Sequence, residues 1–593
     1  MNIVLKSSCI FDSIGSEPFA GYIEIEGNKI KEVVRGETDK YNGISAHPHP
    51  KTEACIKTEI PLEAKVRPES GFDDRSEVKS EEGTGNAATQ PPYKLIDLGD
   101  RTVTPGLIDS HIHLFLGSMH AATVDLYEAN SQEEAARMLY DFYEKGSASA
   151  ERSHNSDRSL PTDWVIGFRW CNYRWPGEAL PSKEALDKYF PDRPVIAFNN
   201  ELHAVWVNSK TMELCGIDKD TPTPQGGIIE RDENGEPTGF FLEQPAMEMV
   251  TRKALDASPE LEEKMIKIFM DVAHSKGITS VGAVHVMRIM KHKACRRLEN
   301  RGELKMRVFF APHMEMDIRE ALELKKEYAS DKLRFMGLKG FVDGTPLGYT
   351  GYMVEPYKDR PGFRSEPLVD PEWLMQKSKE CYKNGIAMRL HACGDAAVRL
   401  ALDAYEAARR EYGEKDIRNA IEHIEVIHED DIPRLAATNT VASIQPSHIV
   451  IDSLDIHPAF LMLDDARIKL SWMGRTLQEN GAVVAFGTDY PIVDLDPVDT
   501  IYRAVTRRMG NDTPAEGWNP QEKFTVAEAI TNSTRTPAYL MQMEDRLGTL
   551  EPGKFADINV FSRNIFNDAD SMLSTKTDMT IFDGEIVYDA GLE

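Results

Sequence analysis

The chain has 593 residues, 41% hydrophobic and 28% charged, the composition of a globular protein too long for one ordinary core. Its 97 acidic against 69 basic residues give a net charge of −28, which argues against nucleic acid or an anionic membrane as the main partner, favours solubility and says nothing about chemistry on a small-molecule substrate. Seven scattered cysteines without a CxxC pair, no run of 18 apolar residues and no basic-then-apolar leader predict a cytoplasmic protein with free thiols.

Residues 2–34 alternate apolar and polar around Glu26-Gly27-Asn28-Lys29, which predicts an antiparallel hairpin. From about 35 to 93 Gly, Ser, Glu, Lys, Pro and Thr dominate without periodicity, which reads as a flexible insertion. The C-terminus returns to alternating runs with glycine turns at 548–561 and 579–588. Each terminal module of about 45 residues is too small to stand alone, so the two are expected to combine in one small β-sandwich. The expected division is therefore 1–103 for the N-terminal part of the sandwich, 104–547 for a central domain and 548–593 for the C-terminal part.

Between the ends, short apolar strands alternate with amphipathic helices. Strands are expected at 104–113, 278–284, 306–311, 335–342, 386–391, 420–424, 441–445 and 483–489, with helices at 261–275, 371–384 and 396–410. Eight such strands count out to an α/β fold of the (β/α)8 TIM-type barrel class. The stretch 115–265 is too long for one connection and is expected to cover the barrel mouth, with strands of its own near 164–170 and 195–199.

Chemistry in such a barrel sits at the C-terminal strand ends. His111 and His113, two apart on a strand, face one side. Later strand ends add Lys339 with Asp343, then His391, His423 and Asp489. Imidazoles and carboxylate in this arrangement suit one or two divalent metals. A lysine desolvated beside cations can lose its proton and take up CO2 as a carbamate that bridges metals as a carboxylate does. Metal would lower a water's pKa to roughly 7, and Asp489 would shuttle its proton.

These motifs resemble the amidohydrolase superfamily, in its amidohydrolase family 3 branch, which includes N-substituted formamide deformylases. The resembling segments are Val103-Thr-Pro-Gly-Leu-Ile-Asp109-Ser-His111-Ile-His113, Glu201-Leu-His203-Ala-Val-Trp-Val-Asn208, Gly235-Glu-Pro-Thr-Gly239, Lys339-Gly-Phe-Val-Asp343-Gly344 and His391-Ala-Cys-Gly394-Asp395. They continue with Ile421-Glu422-His423, Gln445-Pro446-Ser-His448, Gly487-Thr-Asp489-Tyr-Pro491 and Gly548-Thr-Leu-Glu-Pro-Gly-Lys-Phe-Ala-Asp557. The resemblance spans about residue 94 to the C-terminus plus the first 34 residues. It implies zinc at His111, His113, carboxylated Lys339, His391 and His423, Asp489 as metal-bound acid/base, and hydrolysis of a non-peptide C–N bond. Relatives of this type are commonly homodimers, which is the assembly expected by analogy. The segment 35–93 and the pair Glu201-Leu202, where the family has an acidic residue followed by glycine, depart from the pattern.

Each assignment has a plainer alternative. Lys339 could be a salt-bridged lysine and Asp489 a helix cap. His203 and His448 either polarise the substrate carbonyl or pack behind the site. His285 and His313 read as polar rim residues, Cys393 as a small packed residue, and Arg503, Arg507 and Arg508 as a solvated helix face. Rival functions are a cyclic amidohydrolase or deaminase, a metal-dependent esterase or lactonase, and a catalytically silent scaffold.

Overall fold

The structure is a computed structural model in which residues 2–38, 40, 93–145, 162–178, 180–285, 290–450 and 459–591 are described. Nearly all of the expected 35–93 insertion lies outside them. Two parallel sheets form the centre. Strands β1 (Leu107–Ile112), β2 (Ile278–Val284), β3 (Arg307–Ala311) and β4 (Leu333–Phe335) pair in that order. Strands β5 (Leu338–Phe341), β6 (Met388–Ala392), β7 (Ala420–His423), β8 (Val441–Ile444) and β9 (Val484–Phe486) form the second arc, also in chain order. All eight expected strands are present, two of them divided: 335–342 breaks at Met336-Gly337 into β4 and β5, and 104–113 breaks at Gly106, leaving Thr104 and Pro105 on a strand of another sheet. A Cβ on Gly337 would stand 2.5 Å from the Ala387 carbonyl oxygen, so only glycine allows this close approach.

The arcs do not join as one continuous ladder. They meet at two seams through single bridges, His313 with Lys339 and Ile112 with Tyr490. At the first, the Lys339 amide donates to Pro312 at 2.7 Å and Met314 donates to Lys339 at 2.8 Å. At the second, Asp489 donates to the His111 carbonyl at 2.8 Å and His113 to that of Tyr490 at 2.9 Å. At the second seam the interruption has a local cause. Asp109 on β1 takes the Thr488 amide at 3.0 Å and the Thr488 hydroxyl at 2.6 Å, so a side chain replaces a backbone rung.

The helices Pro259–His274, Pro371–Lys383 and Asp395–Tyr412 fall where amphipathic periodicity predicts them. The first two start from Ser258 and Asp370 caps followed by proline, which suits a first turn whose N–H groups are unpaired anyway. Their apolar faces join Ile278, Val281, Leu338, Leu390, Ile421 and Val484 in one core.

Residues 124–242 supply a separate six-stranded sheet that includes the expected strands Val165–Trp170 and Val195–Asn199. Arg169 of that sheet pairs with Asp494, just beyond β9. The termini combine in a mixed eight-stranded sheet: Asn2–Ile10 lies parallel to Tyr93–Asp97 and Thr102–Pro105, and the latter pairs with Ile558–Phe561. The predicted hairpin turns at Gly27 (φ +61), between Phe19–Glu26 and Lys29–Arg35. Leu5, Ile23, Ile96, Val103, Ile558 and Met579 pack together inside this sheet. Among the described residues no helix is long and apolar enough to cross a membrane, and all six cysteines are free.

Candidate metal centre

The strand ends converge on one carboxylate. Asp489 Oδ1 lies 3.2 Å from His111 Nε2 and 3.1 Å from His113 Nε2, while its Oδ2 lies 3.9 Å from His448 Nε2 and 4.0 Å from His423 Nδ1. His111–His113–Asp489 and His423–His448–Asp489 each offer three donor atoms within 4.8 Å of one another. His391 lies tilted beside His423, ring centroids 4.3 Å apart, and its Nε2 faces the Gly344 carbonyl at 3.0 Å and Cys393 Sγ at 3.3 Å. Asp343, His391 and Cys393 make a third donor group.

Lys339 is fully buried on β5, with Nζ 3.3 Å from the Gly340 carbonyl and 3.8 Å from the Phe341 ring centroid. Burial pulls its pKa down to about 8 against the opposing pull of Glu422 and Asp489. His203 stands outside the donor groups, half exposed, with Nδ1 3.2 Å from Glu243. Burial disfavours its cation, but Glu243 and Glu201 outweigh that and raise its pKa.

The donor set fits a metal on a local observation. His111 Nε2, His448 Nε2 and Asp489 Oδ1 are buried and make no hydrogen bond, although the first and third are in contact. Buried polar atoms are almost always satisfied, and lone pairs converging without hydrogen-bond geometry are what a cation requires. The electrostatics agree. Burial raises the cost of ionising Asp489, yet His111 and His113 hold its pKa well below the carboxylate range. Burial keeps His391 and His423 neutral, the form in which imidazole coordinates. Burial opposes a charged His111, but Asp489 and Glu422 raise its pKa and favour a proton that a metal would have to displace. His423 (φ +76) and Asp489 (φ +63) occupy left-handed backbone that non-glycine residues avoid, a strain typical of functional sites.

Beneath the histidines lies a polar floor. Glu422 accepts from Arg389 Nε at 2.5 Å and meets His111 Nδ1 at 2.7 Å, and Arg389 also donates to the Ser110 carbonyl at 2.9 Å. With Nδ1 bound to a carboxylate, His111 turns Nε2 toward Asp489. Glu422 stood in a recognised motif without a role. Its signal was a charge inside a strand that is otherwise buried and apolar. Asp343 accepts three backbone N–H groups, from Cys393, Gly394 and Tyr352, which shapes the β5 and β6 ends.

Two expectations need correction. His285 is buried, not a rim residue, with Nε2 3.0 Å from the Lys339 carbonyl. Arg507 is also buried: it adopts φ +58 at the end of the helix Pro497–Thr506 and turns inward. The alternative of Asp489 as a helix cap falls, because Asp496 caps that helix.

A family model described as the amidohydrolase family matches residues 94–588, and the chain belongs to that family. It is an enzyme, a hydrolase acting on carbon–nitrogen bonds other than peptide bonds. Among curated proteins it is 29% identical over 511 residues to putative amidohydrolase YtcJ of Bacillus subtilis, covering 84% of this chain and 91% of the relative. It is 25% identical to N-substituted formamide deformylase of Arthrobacter pascens over 493 residues, 80% of this chain and 86% of that one. A solved structure of an uncharacterized metal-dependent hydrolase from Pyrococcus horikoshii OT3 superposes with a TM-score of 0.70 at 21% identity, over 96% of this chain and 99% of that one, a likeness of fold.

Proposed function

We propose that this chain hydrolyses a non-peptide amide, an N-acyl or N-formyl amine, at a centre built on Asp489. The observation that carries the reading is the cluster of buried, unsatisfied nitrogen and oxygen donors of His111, His448 and Asp489. His111, His113 and Asp489 would hold one zinc-type ion and His391 and His423 a second, with Lys339, as a CO2-derived carbamate, serving both. When bound, such ions supply an activated water and polarise the carbonyl of the amide. Asp489 takes the attacking water's proton and returns it to the departing nitrogen. His203 and His448 flank the carbonyl and orient it. Similarity to a formamide deformylase supports the amide class.

In this reading the two arcs act as one (β/α)8 barrel, residues 104–547, with residues 115–265 over its mouth. The terminal sheet, 1–103 with 548–593, folds around its own core as a β-sandwich. The enzyme is cytoplasmic and homodimeric, and neither nucleic acid nor membrane is a partner.

The test is metal content by mass spectrometry on wild type and Lys339→Ala, purified without added metal. About two ions falling to one or none establishes a bridged pair. Substoichiometric metal indifferent to Lys339 sinks it. A screen of N-acyl and N-formyl amines against matched esters, lactones and cyclic amides, with ammonia release monitored, separates the amidase from its rivals.

A further inference from the structure

The helix Pro497–Thr506 and the turn after it carry three arginines with different surroundings. Arg503 pairs with Asp499 at 3.0 Å, and Arg508 with Asp570 at 2.6 Å. Arg507, only 5% exposed, has no carboxylate within ion-pair distance among the described residues. Its Nε donates to the Trp518 carbonyl at 3.3 Å and its guanidinium lies 4.8 Å from that indole's centroid. Its Nη2 is buried and donates to nothing.

The acid whose charge reaches Arg507 is Glu522, and that carboxylate already accepts the Thr476 amide at 3.0 Å and hydroxyl at 2.5 Å. Burial accordingly lowers the Arg507 pKa to about 10. Packing against Trp518 and ending a helix need no charge, so neither accounts for an arginine here.

Arg507 lines a narrow cleft that also touches the metal centre. Its other walls include His423, Gln445, Ile444, Trp472 and Phe524. Gln445 Oε1 is buried without a partner as well. A free donor, a free acceptor and apolar walls thus share a space that touches a metal-centre histidine. A guanidinium fork matches a carboxylate, and an amide oxygen matches an N–H.

We propose that Arg507 anchors a carboxylate of the substrate. The amide cleaved at Asp489 then carries that carboxylate on an apolar arm lying along Ile444, Trp472 and Phe524, as in an N-acyl amino acid. This rests on the amidohydrolase reading above, and the following test separates the two.

Calorimetric binding of phenylacetate and of 2-phenylethanol, similar in shape but differing in charge, is measured on the metal-loaded full chain. Wild type is expected to bind phenylacetate at least about tenfold tighter. Arg507→Met should abolish the preference, and Arg507→Lys, which keeps the charge without the fork, should retain part of it. Equal binding of the two probes, or phenylacetate binding undiminished in Arg507→Met, overturns the anchor. Should Arg507→Met fail to fold by circular dichroism, the wild-type preference and its reduction in Arg507→Lys decide. Turnover of N-acetylphenylalanine and N-acetylphenethylamine is then compared. Cleavage of both at equal kcat/KM removes the anchor and leaves hydrolysis standing. Carboxylate binding through Arg507 with neither amide cleaved, and no amide of the screen above cleaved, removes the proposed amide reaction and leaves the anchor.

Discussion

Asp489 and Glu422 divide the work at the centre. Asp489 collects imidazoles from three other strand ends, and Glu422 orients one of them from below. Their substitutions should therefore separate. Asp489→Asn keeps the shape but removes the proton acceptor, so kcat/KM on an amide found by the screen should fall about 10²–10⁴-fold. A loss under tenfold would remove Asp489 from the proton path. Glu422→Gln keeps a hydrogen bond but weakens the hold on His111, which should lower metal affinity about 10–100-fold, read by competition with a fluorescent chelator. Unchanged affinity would reduce Glu422 to a counter-ion of Arg389.

Between elements, the central strands are fastened to the terminal sheet by buried charge. Arg307 on β3 donates to Asp557 at 2.8 and 3.1 Å and to Asp583 at 3.1 Å. Arg307→Met strands the Asp557 carboxylate, while Asp583 keeps Lys332 at 3.1 Å, and loss of one partner of a buried pair costs about 3–5 kcal/mol, measurable by urea unfolding. A change below 1 kcal/mol would mean that water compensates Asp557. His274, at the end of the helix Pro259–His274, meets the Lys305 carbonyl at 2.9 Å, and its own carbonyl accepts the Thr580 hydroxyl at 2.6 Å. Burial lowers its pKa from 6.5 to about 4. The unfolded chain then binds a proton here below pH 6.5 before the native one does, so stability is full above that pH and is lost on acidification toward 4. At pH 5 the loss is about 2 kcal/mol. His274→Gln should therefore show a shallower fall in stability than wild type between pH 7 and 5, and parallel curves would refute the linkage.

For the whole molecule, the converging donors make the metal a folding ligand. An ion that binds only the native state stabilises it by mass action, about 4 kcal/mol at a thousand times its Kd. Stripping the protein with dipicolinate should lower its melting temperature by several degrees, and zinc should restore it. A melting temperature indifferent to both would argue against a resident ion.

Much of this was legible in the chain. Short apolar runs located the central strands and amphipathic periodicity the three helices, because burial imposes those patterns locally. The strand-end residues His111, His113, His391, His423 and Asp489 could be read as one group once the topology was assumed, since parallel strands align their ends. Other features depended on neighbours far apart in sequence. The fate of Arg507 was set by Trp518 and the cleft, and a local pattern cannot separate it from Arg503 and Arg508. The burial of His285, the Arg389–Glu422 floor and the seam at Asp109 likewise arise from contacts between strands. Local patterning determined the elements and the donor types. Only tertiary packing decided which polar groups lost water, and hence which buried donors and acceptors are left without a hydrogen bond.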